Sequence, residues 1–147
     1  MTSVLGYLGV VAAAAVPWIE LFAIPPGIAL GLSPVSVGVA GFVGNATVTV
    51  AVILGFDRLS AWSQRKWGRP LGINPARASR SRRVFDRYGV PGLALQGPII
   101  SGMYLAVILA MGLGADRRRV LIWGLISTVV WSVAIVVVTT AGIGLVA

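Results

Sequence analysis

A single carboxylate stands inside the apolar N-terminal part of this chain. The first 56 residues contain no basic side chain and one acid, Glu20. An ionised carboxyl group is costly to hold in hydrocarbon, and such groups commonly mark proton or ion pathways. Glu20 is therefore a candidate proton carrier or cation site. The alternative is a position near the membrane surface, beside Trp18, where the carboxylate simply reaches water.

Uncharged polar groups that could complete a binding site near mid-depth occur in both halves of the sequence. They are the side chains of Asn45, Gln96 and Ser101 and the backbone at Pro25-Pro26-Gly27 and Gly97-Pro98. Proline has no amide hydrogen, so broken helix ends beside it present unpaired groups that can bind ions or head groups. Hydrogen bonding between helices explains Gln96 and Ser101 about equally well.

Hydrolytic, transfer and metal chemistry have little to draw on in this sequence. It contains no cysteine and no histidine. The other acids, Asp57, Asp86 and Asp116, stand among arginines, where they most simply balance charge. We therefore expect no enzymatic activity, no metal site and no cofactor.

The composition is that of a membrane protein. Hydrophobic residues make up 57% of the chain and charged residues only 11%, whereas a soluble domain has roughly a quarter of its residues charged. We expect one transmembrane domain over residues 1–147. The net charge of +8 suits lipid head groups rather than nucleic acid, because arginines that flank apolar spans act on orientation and anionic lipids first.

The basic residues predict the topology. Nine of the twelve Lys and Arg lie between Arg58 and Arg87, and the other three are Arg117, Arg118 and Arg119. Short loops rich in Lys and Arg stay in the cytoplasm. If both basic stretches are cytoplasmic in a multi-pass protein of the inner (plasma) membrane, residues 90–114 must enter and leave by the same face. That segment is then a re-entrant hairpin.

The elements that would position these groups follow from apolar runs, prolines and glycines. In the first half we expect a helix to about Val16, a broken segment from Pro17 to Leu32, and a full span over residues 34–56 that starts at Ser33-Pro34. An interfacial helix with Trp62 and Trp67 should follow from Asp57, and then a helix that Gly89 caps. The second half should contain a segment that Pro98 breaks and a span over residues 120–147. Small residues at helical spacing, Gly38, Gly41 and Gly44, predict a face that packs against a hairpin or a second subunit.

The two halves of the chain follow one plan. Each half, 1–56 and 90–147, has a broken apolar segment, a Gly-Leu boundary (Gly31-Leu32 and Gly112-Leu113) and a long span, with the basic region 57–89 between them. The charge rule makes the halves inverted relative to each other, which is a recurrent transporter plan. The predicted fold is an all-α integral membrane protein: an inverted repeat with two re-entrant hairpins, about three full spans and one interfacial amphipathic helix.

Two stretches resemble the small multidrug export proteins, relatives of the wider DedA-like membrane superfamily. ELFAIPPGIALGLSP, at 20–34, is similar to that family's Glu-x-x-x-Ile-Pro opening motif. FDRYGVPGLALQGPIISG, at 85–102, is similar to its Arg-Tyr-Gly element and the proline-broken hairpin that follows. With the Gly-Leu-Gly and the arginine triplet that come next, the resemblance covers most of residues 20 to 135.

The resemblance implies a re-entrant-loop transporter, dimeric, with lipid or amphiphilic substrates. The functional positions it implies are Glu20, Pro25, Arg87, Gly89 and Pro98. Phe22 and Gln96 stand where members of these families carry arginine, which argues against an anionic lipid as the substrate.

Three functions compete at this point. The leading expectation is a transporter of an amphiphile or lipid head group in which Glu20 is the titrating group. A four-span exporter of the small multidrug resistance type also uses one Glu in its first helix, but requires residues 90–114 to cross. A non-transporting membrane scaffold would not depend on Glu20.

Overall fold

The structure, a computed structural model, describes residues 2–68, 75–100 and 102–146, and every regular element within these ranges is helical. This confirms the all-α prediction. The chain forms two compact units, residues 1–48 with 128–147 (unit 1) and residues 49–127 (unit 2). The elements are α1 (Thr2–Ala14), a 3₁₀ turn (Glu20–Ala23), α2 (Ile24–Ala29), α3 (Pro34–Trp67), α4 (Pro75–Ile100), α5 (Met103–Gly112) and α6 (Arg117–Val146).

Two helices of the described chain, α3 and α6, are long and apolar enough to cross a membrane. The apolar part of α3, residues 34–56, is about 34 Å long, which matches a hydrocarbon core of about 30 Å. The first helix is shorter than expected, since α1 ends at Ala14 and has 13 residues. The number of full spans therefore stays a prediction.

Helix α3 begins where the sequence indicates and ends later than expected. It starts at Pro34, and the amide of Val37 donates to the Ser33 carbonyl at 2.9 Å. The prediction of a separate interfacial helix from Asp57 is wrong, because α3 continues without interruption to Trp67. No proline intervenes, and the helix stops only before Gly68, which has a positive φ of 62°.

In unit 1 the chain folds back on itself as a hairpin before α3. The two ends of this first hairpin meet, because the Ser33 amide donates to the Tyr7 hydroxyl at 3.2 Å and Gly6 faces the Leu32 side chain. Buried residues of both arms, Val10, Ala14, Ile24 and Ile28 among them, form one apolar cluster with Val37 and Ala40 of α3. The reversal lies between α1 and the 3₁₀ turn.

The small-residue face of α3 packs against protein within unit 1, as predicted. A Cβ atom added to Gly41 would lie 2.7 Å from Ile24 Cγ1, and one added to Gly44 would collide with the carbonyl oxygen of Val11. Gly38 faces Val136 of α6. The absence of side chains at these positions lets the helix backbones approach closely.

In unit 2 a second hairpin follows a kink in α4. Gly89 has φ 65° and ψ −156°, so the first part of α4 ends there, as the expected glycine cap requires. The second part, residues 90–100, pairs with α5. The Gly102 amide donates to the Gly97 carbonyl at 2.7 Å at the reversal. Each arm is about 15 Å long, roughly half of the hydrocarbon thickness.

The break in this second hairpin lies later than the sequence suggested. The prediction placed it at Pro98, but α4 continues through Pro98 to Ile100, and the reversal occurs before Met103, where Gly102 has φ 83°. Pro98 occupies the last turn of the helix. At that place a proline removes one backbone hydrogen bond and leaves the rest of the helix intact.

The hairpins end in the same pattern of backbone hydrogen bonds. The amides of Leu30, Gly31 and Leu32 donate to carbonyls four, three and five residues earlier, and the amides of Leu113, Gly114 and Ala115 do the same. Gly31 and Gly114 have φ values of 80° and 84°. The two sets lie 83 positions apart, as Leu30 and Leu113 do. Gly31 therefore corresponds to Gly114, two residues after the Gly112 that the sequence comparison paired with it.

Asp116 starts α6. Its Oδ1 accepts a hydrogen bond from the Arg119 amide at 3.0 Å, so the helix begins at Arg117 rather than at Val120. Such a side chain satisfies one of the free amides of the first turn. Arg117 in turn forms an ion pair with Asp57 of α3, so Asp57 balances an arginine charge as expected.

Candidate functional site

Glu20 lies at the reversal of the first hairpin and is buried. Only 7% of the residue is exposed, while its neighbour Trp18 is 73% exposed. Glu20 opens the 3₁₀ turn that leads into α2. The alternative reading, an anchor whose carboxylate simply reaches water beside Trp18, fits Trp18 better than it fits Glu20.

The backbone around Glu20 has an unusual conformation. Glu20 has φ 44° and Trp18 has φ 79°, and they are the only residues other than glycine with positive φ in the described chain. Positive φ brings the Cβ atom of an L-residue close to its own backbone, and residues held this way cluster at functional sites. The next turn of chain, through Leu21 and Ile24, is anchored on α3 at Gly41, so the surrounding packing holds Glu20 in place.

Asn45 is fully buried on the face of α3 that meets the first hairpin. Its Oδ1 accepts a hydrogen bond from the Thr128 hydroxyl of α6 at 3.2 Å. The preceding residue, Gly44, touches α1 at Val11 and Ala14. An amide in this position has protein partners, as its place in an apolar span requires. In unit 1, the structure therefore places Glu20 on the hairpin and Asn45 on the helix that supports it.

Pro25 and Pro26 do not break the chain. Both lie in the first turn of α2, where a helix has free amides in any case and a missing amide hydrogen costs little. The helix is therefore not interrupted at Pro25-Pro26-Gly27, and the free backbone groups expected there stay a prediction. The break lies earlier, between the end of α1 at Ala14 and the 3₁₀ turn.

The remaining predicted site residues belong to unit 2. Gln96 is half-buried in the second part of α4, which forms one arm of the second hairpin. Pro98 lies in the last turn of that helix, and Ser101 is outside the described residues. Arg87 is exposed on the first part of α4, where its guanidinium carbon lies 5.5 Å from the centre of the Tyr88 ring. Arg87 is thus on the basic surface before the Gly89 kink and not on the hairpin.

Sequence reasoning missed two buried hydroxyl groups on α6. Ser127 donates to the Ala94 carbonyl of the second hairpin at 2.8 Å, within unit 2, and Thr128 donates to Asn45 within unit 1. Both residues are fully buried. The signal in the sequence is a Ser-Thr pair in the middle of an apolar helix, since hydroxyl groups at that depth must find acceptors.

An apolar groove lies between α3 and α6 in unit 1. It has a volume of about 390 Å³, within the range of ligand pockets. The residues that line it are Val35, Gly38, Val39, Phe42, Val129, Ser132, Val133, Val136 and Val137. Such a surface suits an alkyl chain and offers no charge to a head group.

A family model described as "Putative small multi-drug export protein" matches residues 21–134. The match covers most of the chain, includes α2 and the whole second hairpin, and begins one residue after Glu20. No curated protein and no solved structure matches the chain significantly.

Proposed function

The chain belongs to the small multi-drug export family, and from this premise we propose that it is a membrane transporter in which Glu20 is the titrating group. The observation that carries the proposal is the position of Glu20, a buried acid with left-handed backbone at the reversal of the first hairpin. A carboxylate at such a place is a functional candidate by default. The substrate would be an amphiphile, and the exchanged ion a proton.

The short hairpin arms support a re-entrant arrangement. Neither arm of the second hairpin is long enough to cross about 30 Å of hydrocarbon. Residues near its two ends, Val90 and Ala110, are buried in one apolar cluster, which also contains Ile53 of α3 and Val120 of α6. Both ends of that hairpin then face the cytoplasm, with the basic stretches that flank it.

The matching hairpin ends support an internal repeat. Hydrogen bonds, glycine φ values and the starts of the long helices recur 83 positions apart, as in the bonds from Val37 to Ser33 and from Val120 to Asp116. Tertiary contacts recur at the same spacing, because Gly41 faces Ile24 and Gly124 faces Val107. Two halves of one plan, which the charge rule predicts to be inverted in the membrane, are a recurrent basis for alternating access.

The groove of unit 1 supports an amphiphilic substrate. Six of its nine lining residues are valines, whose branched side chains are stiff. Its volume of about 390 Å³ suits a small molecule or one alkyl chain. The charged or polar end of the amphiphile would then bind elsewhere in the protein, and we assign that role to Glu20.

Transport by purified protein in liposomes tests the proposal. The probe is the lipophilic cation tetraphenylphosphonium, and a dye trapped in the vesicles reports proton movement. We expect Glu20→Gln to insert and fold normally but to lose proton movement coupled to the probe. Asp86→Asn, which makes the same change at an exposed site, is the control and should behave like the wild type. Full coupled activity in Glu20→Gln would show that Glu20 is not the titrating group and serves only as an anchor.

A further inference from the structure

Ser127 makes a different kind of hydrogen bond from Thr47 and Thr140, two other hydroxyl residues of the long helices. Thr47 and Thr140 donate to carbonyls of their own helix four residues earlier, at 2.7 and 2.8 Å, which is the usual choice in a helix interior. Ser127 instead donates to the Ala94 carbonyl of α4, at 2.8 Å. A local acceptor is available to any helical serine, so this longer-range partner requires an explanation.

The explanation is the acceptor. In a helix, the carbonyl of residue 94 would take its hydrogen bond from the amide of residue 98. Residue 98 is a proline and has no amide hydrogen. Ala94 is only 6% exposed, and a buried carbonyl needs a donor when water is excluded. The Ser127 hydroxyl supplies the donor that Pro98 lacks.

The first unit contains a corresponding site, but it has neither the proline nor the serine. At the spacing of 83, Val11 corresponds to Ala94, Ala15 to Pro98, and Gly44 to Ser127. The Ala15 amide donates to the Val11 carbonyl at 3.1 Å, so that carbonyl is already satisfied. The residue of α3 that touches it is Gly44, which has no side chain to donate. The second unit has both the proline and the serine at these positions, and the first unit has neither of them there.

We propose that Ser127 is the positioning residue of the second hairpin and that it compensates for Pro98. The hydroxyl holds the arm of α4 on α6 through one side-chain bond in place of a backbone bond. Gly124, one turn earlier on α6, leaves room for Val107 of the other arm.

A double-mutant cycle tests the compensation. Ser127→Ala should lower the melting temperature in detergent by several degrees, because it leaves the Ala94 carbonyl without this donor. Pro98→Ala restores an amide at position 98, so Ser127→Ala should have little effect in that background. The same fall in both backgrounds, or no fall in either, would overturn the proposal. If Ser127→Ala alone fails to fold, the double variant should fold, and its failure would count against the compensation as well.

Ser132 of the same helix provides the matched control. It is 4% exposed, and its hydroxyl has no hydrogen-bond partner among the described residues. Ser132→Ala should therefore leave the melting temperature unchanged or raise it, whereas a fall equal to that of Ser127→Ala would mean that any buried serine of α6 behaves alike. The melting temperatures do not depend on transport. If the wild-type protein moves no probe, the proposed transporter function is wrong, but the double-mutant cycle still tests the role of Ser127.

Discussion

Arg117 and Asp57 form an ion pair in which Nη2 and Oδ2 are 2.6 Å apart, although 60 positions separate them in the chain. Asp57 follows the apolar part of α3, and Arg117 is the first residue of α6. If α3 and α6 cross the membrane, two charged residues that touch beside their apolar parts lie at one membrane surface. The chain between them would then leave that surface and return to it, which supports the proposed hairpin arrangement over a crossing by residues 90–114.

Single cysteines test this arrangement directly, because the native chain contains none. We expect Ala61→Cys and Ala115→Cys to be protected from an impermeant reagent in intact cells and labelled in inverted vesicles. The vesicles control for a thiol that is merely hindered. Labelling of Ala115→Cys from outside, with Ala61→Cys protected, would favour four plain spans and the small-multidrug-resistance alternative.

The ion pair itself should contribute little to stability. Both side chains are substantially exposed, at 44% and 78%, and exposed pairs contribute about 0.2–1 kcal/mol. Asp57→Arg should be more harmful than Asp57→Asn, because it places two arginines together. The exchanged pair, Asp57→Arg with Arg117→Asp, should recover most of the loss in melting temperature. A double variant as unstable as Asp57→Arg alone would show that the contact does not matter.

The glycines of α3 should differ in their tolerance of a methyl group. Gly44→Ala meets the backbone carbonyl of Val11, which cannot rotate away, so we expect a loss of about 1–3 kcal/mol. Gly41→Ala meets the side chain of Ile24, which can adjust, and should cost less. Gly9→Ala, with open space around it, is the control and should be neutral or stabilising. Equal melting temperatures for all three variants would contradict the close approach at Gly44.

The bond between Thr128 and Asn45 should be measurable by mutation of either partner. Thr128→Val keeps the shape and removes the donor, and Asn45→Ala removes the acceptor. Each should destabilise the protein by about 1–3 kcal/mol, because the remaining polar group is buried. The double variant should lose less than the sum of the two, as expected for groups in contact. Simple additivity would mean that the two residues act independently.

The sequence predicted the helices of this protein better than their breaks. Apolar runs and charge predicted α3 and α6. Gly89 predicted the kink in α4, because only glycine easily adopts the backbone conformation found there. The prolines misled, since Pro25 and Pro98 lie at helix ends, where a missing amide hydrogen is tolerated. Neighbouring residues alone do not reveal whether a proline starts, ends or interrupts a helix.

The partners of the site residues depended on tertiary structure. The place of Asn45 within a helix-packing face could be inferred from Gly41 and Gly44, and its burial follows from that face. Its partner Thr128, and the bond from Ser127 to Ala94, join residues 83 and 33 positions apart. No local pattern specifies such pairs.

The left-handed backbone at Glu20 also has an evolutionary consequence. Glycine, and to a lesser extent asparagine, adopts positive φ at lower cost than glutamate, so either of these residues should form this reversal more readily. Glu20→Gly should then melt at a higher temperature than the wild type while losing the carboxylate. Selection for folding alone would remove glutamate from this position. Its presence supports the proposal that activity, rather than robustness, determines the residue at the reversal of the first hairpin.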